Sequence, residues 1–161
     1  EFLQKEGMKE QRPLIMVTND DGIDAPGIRH LIEIVREFGD LIVVAPESGM
    51  SGMSHAITVR EPLRVTKVRE VPGITEYSCK GTPVDAVKLG EKMLLQRKPD
   101  LLVSGINHGS NASVNIVYSG TMAAAIEACM DGVKAIGFSL TDYAHDADFS
   151  VCTPWVQSVV A

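Results

Sequence analysis

An apolar run of four residues, Leu14-Ile15-Met16-Val17, passes without a spacer into Thr18-Asn19-Asp20-Asp21-Gly22. A run that short and that continuous reads as a strand buried on both faces, the kind a mostly parallel sheet uses. A helix is predicted to follow. Asp24 is placed to cap it, Pro26 falls in its first turn, and Ile28, Leu31, Ile32 and Val35 recur at i, i+3, i+4 and i+7 up to an end near Gly39. Leu41–Ala45 is a second apolar run, stopped by Pro46. Strand, helix and strand within about thirty residues form a βαβ unit, whose crossover is right-handed. The unit sets two adjacent carboxylates at the carboxyl end of a strand, where open α/β sheets bind ligands. Side-by-side carboxylates repel and call for a cation or for protons. A hard-metal site is therefore the first functional expectation.

The later segments repeat the alternation. Glu47–Ala56 is a loop rich in Gly and Ser, and residues 57–59, 63–68 and 74–79 read as short strands, a β excursion beside the main sheet. Thr82-Pro83-Val84-Asp85 opens a helix in the manner of a capping box and runs to about Arg97, before Pro99. Residues 100–104 form a third buried strand, and Gly105–Tyr118 reads as a long loop. Ser119 caps a helix with Met122, Ala125, Ile126 and Cys129 as its apolar stripe; residues 134–139 form a fourth strand, and Thr153-Pro154-Trp155 starts another helix. The expected fold class is α/β, a three-layer, mostly parallel sheet flanked by helices. Residues 1–13 are polar and aperiodic and read as a leader, with Glu1–Gly7 tag-derived and Met8 the native start; residues 14–161 read as one domain. The final turn lacks a C-cap signal, and the natural protein is expected to continue beyond it.

Bulk properties narrow the partners. With 161 residues, 45% apolar and 22% charged, the chain can bury a full core. Its net charge of −6, with Lys and Arg scattered, argues against a nucleic acid or an anionic membrane as partner. A small anionic substrate remains compatible, because a local metal outweighs the global charge. Three cysteines without a CxxC spacing indicate neither a disulfide framework nor a zinc knuckle; Cys129 is expected to be a small buried hydrophobe. With no secretory signal and no apolar span of the required length, a cytoplasmic location is expected.

Three strand ends deliver oxygen-rich loops: Asn19–Gly22, Ser48–His55 and Ser104–Asn111. Each alone is an ordinary turn or linker sequence. Together, after successive strands of one sheet, they converge on one edge and offer carboxylate, hydroxyl and amide oxygens, a set suited to Mg²⁺, Mn²⁺ or Ca²⁺. A fourth element, Tyr118-Ser119-Gly120-Thr121, opens a helix whose free N–H groups favour phosphate. His55 and His108 are candidates for a general acid or a phosphate contact. His30 is expected on the surface, and His145 in a solvated acidic loop.

Taken together, these motifs resemble the SurE family of survival-protein phosphatases. The matching residues are Val17–Ile23 with Ala25–Ile28, Val43–Pro46, Ser51-Gly52 with His55 and Ile57-Thr58, Gly81–Asp85, Val103–Asn107 with Gly109 and Asn111, and Tyr118–Thr121. The resemblance implies a Rossmann-like fold and a metal-dependent 5′-nucleotidase acting on nucleoside 5′-monophosphates, with 3′-monophosphates and short polyphosphate as further candidates. It implies one divalent ion per subunit, Mg²⁺ or Mn²⁺, with Ca²⁺ able to substitute, held by Asp20, Asp21, Ser51 and Asn107. Asn111, Ser119, Gly120 and Thr121 would orient the phosphate. A homodimer or homotetramer of the full-length protein is implied as well. Glu47-Ser48-Gly49-Met50 departs from the charged, often Arg-containing run usual in the family. Whether an activated water or one of the paired aspartates attacks phosphorus stays open. A haloacid-dehalogenase-like phosphatase fits less well, because it expects D-x-D and the acids here are adjacent. A non-catalytic nucleotide-binding domain is the other alternative; the first turn lacks G-x-G-x-x-G.

Overall fold

The computed structural model describes residues 12–50, 52–144 and 146–161. The leader up to residue 11, Ser51 and His145 lie outside the described residues. Six strands form one sheet: β1 (Leu14–Thr18), β2 (Asp40–Pro46), β3 (Val65–Val71), β4 (Ile74–Cys79), β5 (Leu101–His108) and β6 (Ala135–Leu140), in the order β3-β4-β2-β1-β5-β6. All neighbours are parallel except β3 and β4, which form an antiparallel hairpin at one edge. The helices are α1 (Pro26–Val35), α2 (Pro83–Leu89), α3 (Asn115–Tyr118), α4 (Gly120–Met130) and α5 (Thr153–Val160).

Strands β1, β2 and the first half of β5 are buried on both faces, which is why they read as unbroken apolar runs. Side chains of β1 alternate between two cores: Ile15 and Val17 join Ile28, Leu31 and Val35 of α1 and Val156 of α5. Met16 turns the other way, into Ala86 and Val87 of α2 and Ala124 and Ala128 of α4. The chain runs from β1 to β2 and β4 on one side, then crosses back through α2 to place β5 on the other side of β1. That reversal makes the gap between the carboxyl ends of β1 and β5 a topological switch point, the crevice where such sheets bind ligands.

Several expectations are corrected in detail. Residues 57–59 are not a strand: the Thr58 N–H and hydroxyl donate to the Asp85 carboxylate instead of to a ladder. The excursion is continuous with the main sheet, because β4 pairs along β2. Helix α2 ends at Leu89 and widens into a turn over Gly90–Leu94. Gly90 lies so close to Met16 that a Cβ there would fall 2.3 Å from the Met16 Cε. The long loop after residue 104 is shorter than expected, since β5 continues to His108. Asp24 does not cap α1; Ala25 occupies the cap, and Asp24 accepts from Arg69 at 2.7 Å. The expected stripe of α4 is split: Ala125 is buried and Met122 half-buried, but Ile126 and Cys129 are exposed, while Thr121, Ala124 and Ala128 are buried in their place. Apolar residues occur all round α4, so periodicity did not choose a face; close approach to the sheet selects the small ones.

A charged network ties α1 to the hairpin. Arg29 grips Glu76 of β4 with two bonds, at 2.6 and 2.8 Å, and Arg69 of β3 adds a third at 3.0 Å. Burial pushes the Glu76 pKa up, but the two guanidinium groups prevail and hold it below the usual range. Its stabilisation is therefore present above the unfolded value near 4.5 and is lost as pH falls through the lower folded value. Arg29→Met is expected to destabilise the fold by about 2–3 kcal/mol at neutral pH. Urea unfolding of wild type and variant should show the difference shrinking below about pH 4, as Glu76 protonates.

Candidate active site

The segment after β1 turns sharply. The Asn19 side-chain amide donates to the Gly22 carbonyl at 2.8 Å, and Gly22 adopts φ +103° with Ser48 backbone packed against it. This turn leaves Asp20 almost fully buried and Asp21 half-buried at the mouth of the crevice. Burial and the adjacent Asp20 push the Asp21 pKa up, against a backbone N–H of His108 that pulls it down. The structure thus keeps two carboxylates together with one raised pKa, the electrostatic state a divalent cation relieves.

Helix α4 is driven up against this turn. The Thr121 hydroxyl donates to the Asp20 carboxylate, and Gly120 leaves no room for a side chain: a Cβ there would fall 2.7 Å from the Asp20 Cβ. On the other flank β5 carries one extra residue relative to β6 between Ser104 and Asn107, centred on Gly105 at φ +131°. A bulge of this kind re-aims the side chains that follow it, here Asn107 at the end of the strand.

Two amides are oriented by one relay. Asn107 Nδ2 donates to the Gly109 carbonyl at 3.1 Å and to Asn111 Oδ1 at 2.9 Å, and the Ser119 hydroxyl donates to the same Asn111 oxygen at 2.9 Å. Asn107 thus spends its NH₂ on these two acceptors, and its carbonyl oxygen takes no part in the relay. Asn111 keeps its NH₂, which is buried and has no hydrogen-bond partner among the described residues. A buried donor without a partner costs about 1–3 kcal/mol, so it marks a place for an acceptor.

Asp20, Asn107, Asn111 and Ser119 line one cavity of about 240 Å³, together with Gly52, His108, Ser110, Asn115 and Tyr118. Asp21 lines an adjoining cavity of about 250 Å³ with Ala25, Pro26, Gly27, His108 and Phe149. His108 lines both, its ring edge-on to Phe149 at 5.9 Å and its Nε2 buried without a partner among the described residues. A cleft of about 590 Å³ at the opposite strand ends, by Leu14, Asp40 and Ile74, is remote from this chemistry.

The site residues expected from sequence fall as follows. Asp20, Asn107, Asn111 and Ser119 share a cavity, and Asp21 borders it. The hydroxyls of Ser119 and Thr121 are engaged within the protein, Ser119 on Asn111 and Thr121 on Asp20, so they shape the site through other groups. The N–H groups of Gly120 and Thr121 open α4, where no intrahelical acceptor exists. Ser51 lies outside the described residues; its neighbour Met50 donates its N–H to the Asp20 carbonyl at 2.7 Å, and Gly52 lines the cavity. His55 is not in the crevice lining but against Glu127, at 2.7 Å. His30 is half-buried rather than on the surface, with its Nε2 2.9 Å from the Thr153 hydroxyl. Glu127 and its second partner Lys88 were missed; the only signal was an acid set among alanines in α4.

No cluster of three or more His, Cys, Asp and Glu side chains exists among the described residues. The donors present, two carboxylates and an amide oxygen, fit a hard cation such as Mg²⁺, Mn²⁺ or Ca²⁺ and not a thiolate-bound metal. Fold and site define an α/β domain with a crevice lined by carboxylate and amide groups at its switch point. The survival protein SurE family model matches residues 15–161, and the chain belongs to that family. It is 56% identical over 149 residues to the 5′-nucleotidase SurE of Flavobacterium psychrophilum, covering 92% of this chain and 58% of that protein. With the 5′-nucleotidase SurE of Bacteroides fragilis it shares 47% identity, over 96% of this chain and 60% of the relative. The crystal structure of the SurE protein from Aquifex aeolicus superposes with a TM-score of 0.79 at 37% identity, over 92% of this chain and 60% of that one. The chain thus spans about three-fifths of the length of these relatives.

Gly120→Ala tests the close approach of α4. The added methyl is expected to displace the Asp20 carboxylate, weaken Mn²⁺ binding at least about tenfold and cost about 1–3 kcal/mol of stability. Calorimetric titration with Mn²⁺ and thermal unfolding read the two effects separately.

Proposed function

We propose that this chain carries the catalytic crevice of a divalent-metal-dependent phosphatase that hydrolyses nucleoside 5′-monophosphates to nucleoside and phosphate. The observation that carries the reading is the Asn107–Asn111–Ser119 relay, which commits the Asn107 NH₂ and the Asn111 oxygen to protein partners and leaves the Asn111 NH₂ without one among the described residues, in side chains that line one cavity with Asp20. Cation and phosphate are thereby provided for side by side. The names of the curated relatives support the substrate class.

Asp20, Asp21 and the Asn107 carbonyl oxygen would hold the ion, with Ser51 as a fourth ligand. Bound there, the ion would act as a Lewis acid on the phosphoryl group and offset its charge. Asn111 Nδ2 and the N–H groups of Gly120 and Thr121 would receive the phosphate oxygens and fix their orientation, which lowers the entropic part of the barrier. His108 borders both cavities and lies where a leaving nucleoside would pass. Mg²⁺ and Mn²⁺ are the cations we favour, with Ca²⁺ as a substitute; 3′-monophosphates and short polyphosphate present the same terminal group and belong in the same assay. We read residues 14–161 as one domain, working in the cytoplasm as part of a homodimer or homotetramer. No helix among the described residues is long and apolar enough to cross a membrane.

Phosphate release from a panel of nucleoside monophosphates, with Mg²⁺, Mn²⁺ or chelator, tests the reading. Asp20→Asn and Asp21→Asn are expected to lose about a hundredfold or more in rate, since each removes charge from the cation site. Undiminished release in both variants rejects the site, and nucleotide binding without release in any metal assigns the chain to a binding module instead. Asn111→Ala is expected to raise KM more than it lowers kcat if Asn111 holds the ground-state phosphate.

A further inference from the structure

The described residues of the arm between β2 and β3, 47–50 and 52–58, reach the crevice without regular structure of their own. Its fastenings are discrete. Met50 N–H donates to the Asp20 carbonyl at 2.7 Å, the Ser54 hydroxyl donates to the Val117 carbonyl at 2.6 Å, and the Ala56 carbonyl accepts from the Thr82 hydroxyl at 2.7 Å. Between the last two, His55 Nε2 meets Glu127 Oε2 at 2.7 Å, and this is the side-chain bond that joins the arm to α4.

Glu127 is an unusual partner. Its side chain is only 6% exposed, on a helix whose buried face is otherwise Gly, Thr and Ala. Burial pushes its pKa up, and hydrogen bonds from Lys88 of α2 and from His55 more than reverse this. Its second oxygen is held by Lys88, so the carboxylate cannot swing away from the arm. A buried charged group of this kind is a weak source of net stability and a strong source of fixed geometry. Glu127 also sits seven residues beyond Gly120 on one straight helix, about 10 Å along its axis. Gly120 abuts Asp20 at the helix start. One rigid element therefore carries both the wall of the Asp20 site and the anchor of the arm.

We propose that the His55–Glu127 pair, braced by Lys88, is a positioning device that fixes the arm's approach to the cation cavity, whose wall includes Gly52. The idea rests on the functional reading above, in that the cavity is taken to hold a divalent ion. Neither residue touches substrate; both act through the path of the arm. Deleting the bond frees the arm and lowers affinity for the ion, while the cores on both faces of the sheet stay intact. His55 is 37% exposed, so its truncation leaves no buried cavity.

The test is Mn²⁺ affinity by calorimetry, without substrate, on wild type, Asp20→Asn, His55→Ala and His55→Gln, with a melting temperature for each in the absence of metal. His55→Ala is expected to bind Mn²⁺ about tenfold more weakly, the size usual for partners just outside a metal's ligands. Its melting temperature is expected to stay within about 2 °C of wild type. His55→Gln, whose amide still donates to Glu127, is expected to recover most of the affinity. Unchanged affinity in His55→Ala beside lost affinity in Asp20→Asn overturns the positioning role and leaves the metal site standing. Equal losses in His55→Ala and His55→Gln overturn the pairing with Glu127. Equal Mn²⁺ binding by wild type and Asp20→Asn overturns the metal site itself, and the positioning role with it.

Discussion

The start of helix α4 pressed against the Asp20 carboxylate is the constraint on which the site depends. Gly120 permits the approach, because any side chain there would overlap Asp20, and the Thr121 hydroxyl supplies a bond to the carboxylate in the gap so made. The contact buries a negative charge next to a second one, at a helix end whose free N–H groups carry partial positive charge. Every other feature of the crevice is arranged around that placement. The β1 turn presents the acids, the β5 bulge brings in Asn107, and α4 closes the third side.

Within this frame polarity is sorted by hydrogen bonds rather than by charged side chains. Asn111 Oδ1 accepts from both Asn107 and Ser119, and this single double-acceptor decides which end of each amide faces the cavity. A neutral relay of this kind fixes both amides in the crevice without adding a cationic side chain. The Arg29–Glu76–Arg69 network sits on the far side of α1 and anchors the helix that follows the aspartates. Stability and site chemistry therefore use different ion pairs.

Much of this was legible in the chain. The run Leu14–Val17 announced a strand buried on both faces, and Asn19–Gly22 a polar turn at its end, because both signals are local and depend on a few adjacent residues. Asp20, Asp21, Asn107 and Asn111 could be placed at one edge of the sheet from sequence because they lie at the carboxyl ends of its strands. The errors fell where local signals are silent. Residues 57–59 carry strand-like side chains, but their backbone bonds to Asp85, twenty-seven positions away from Thr58. The stripe of α4 was right for Ala125 and wrong for Ile126 and Cys129 because apolar residues surround that helix, and only contact with the sheet distinguishes Ala124 from Ile126. The Glu127–His55–Lys88 bonds join three elements and have no periodicity to betray them.

By itself the sequence determined the alternation of strands and helices, the oxygen-rich loops at the strand ends and the helix start at Ser119. Propensity, turn chemistry and hydrophobic period act over a few residues and leave their mark there. Only the tertiary structure decided which groups are free to bind. It took the hydroxyls of Ser119 and Thr121 out of play, left the Asn111 NH₂ without a partner among the described residues and turned His55 toward Glu127. A hydroxyl has one proton to give, and where it goes depends on neighbours that come from distant parts of the chain.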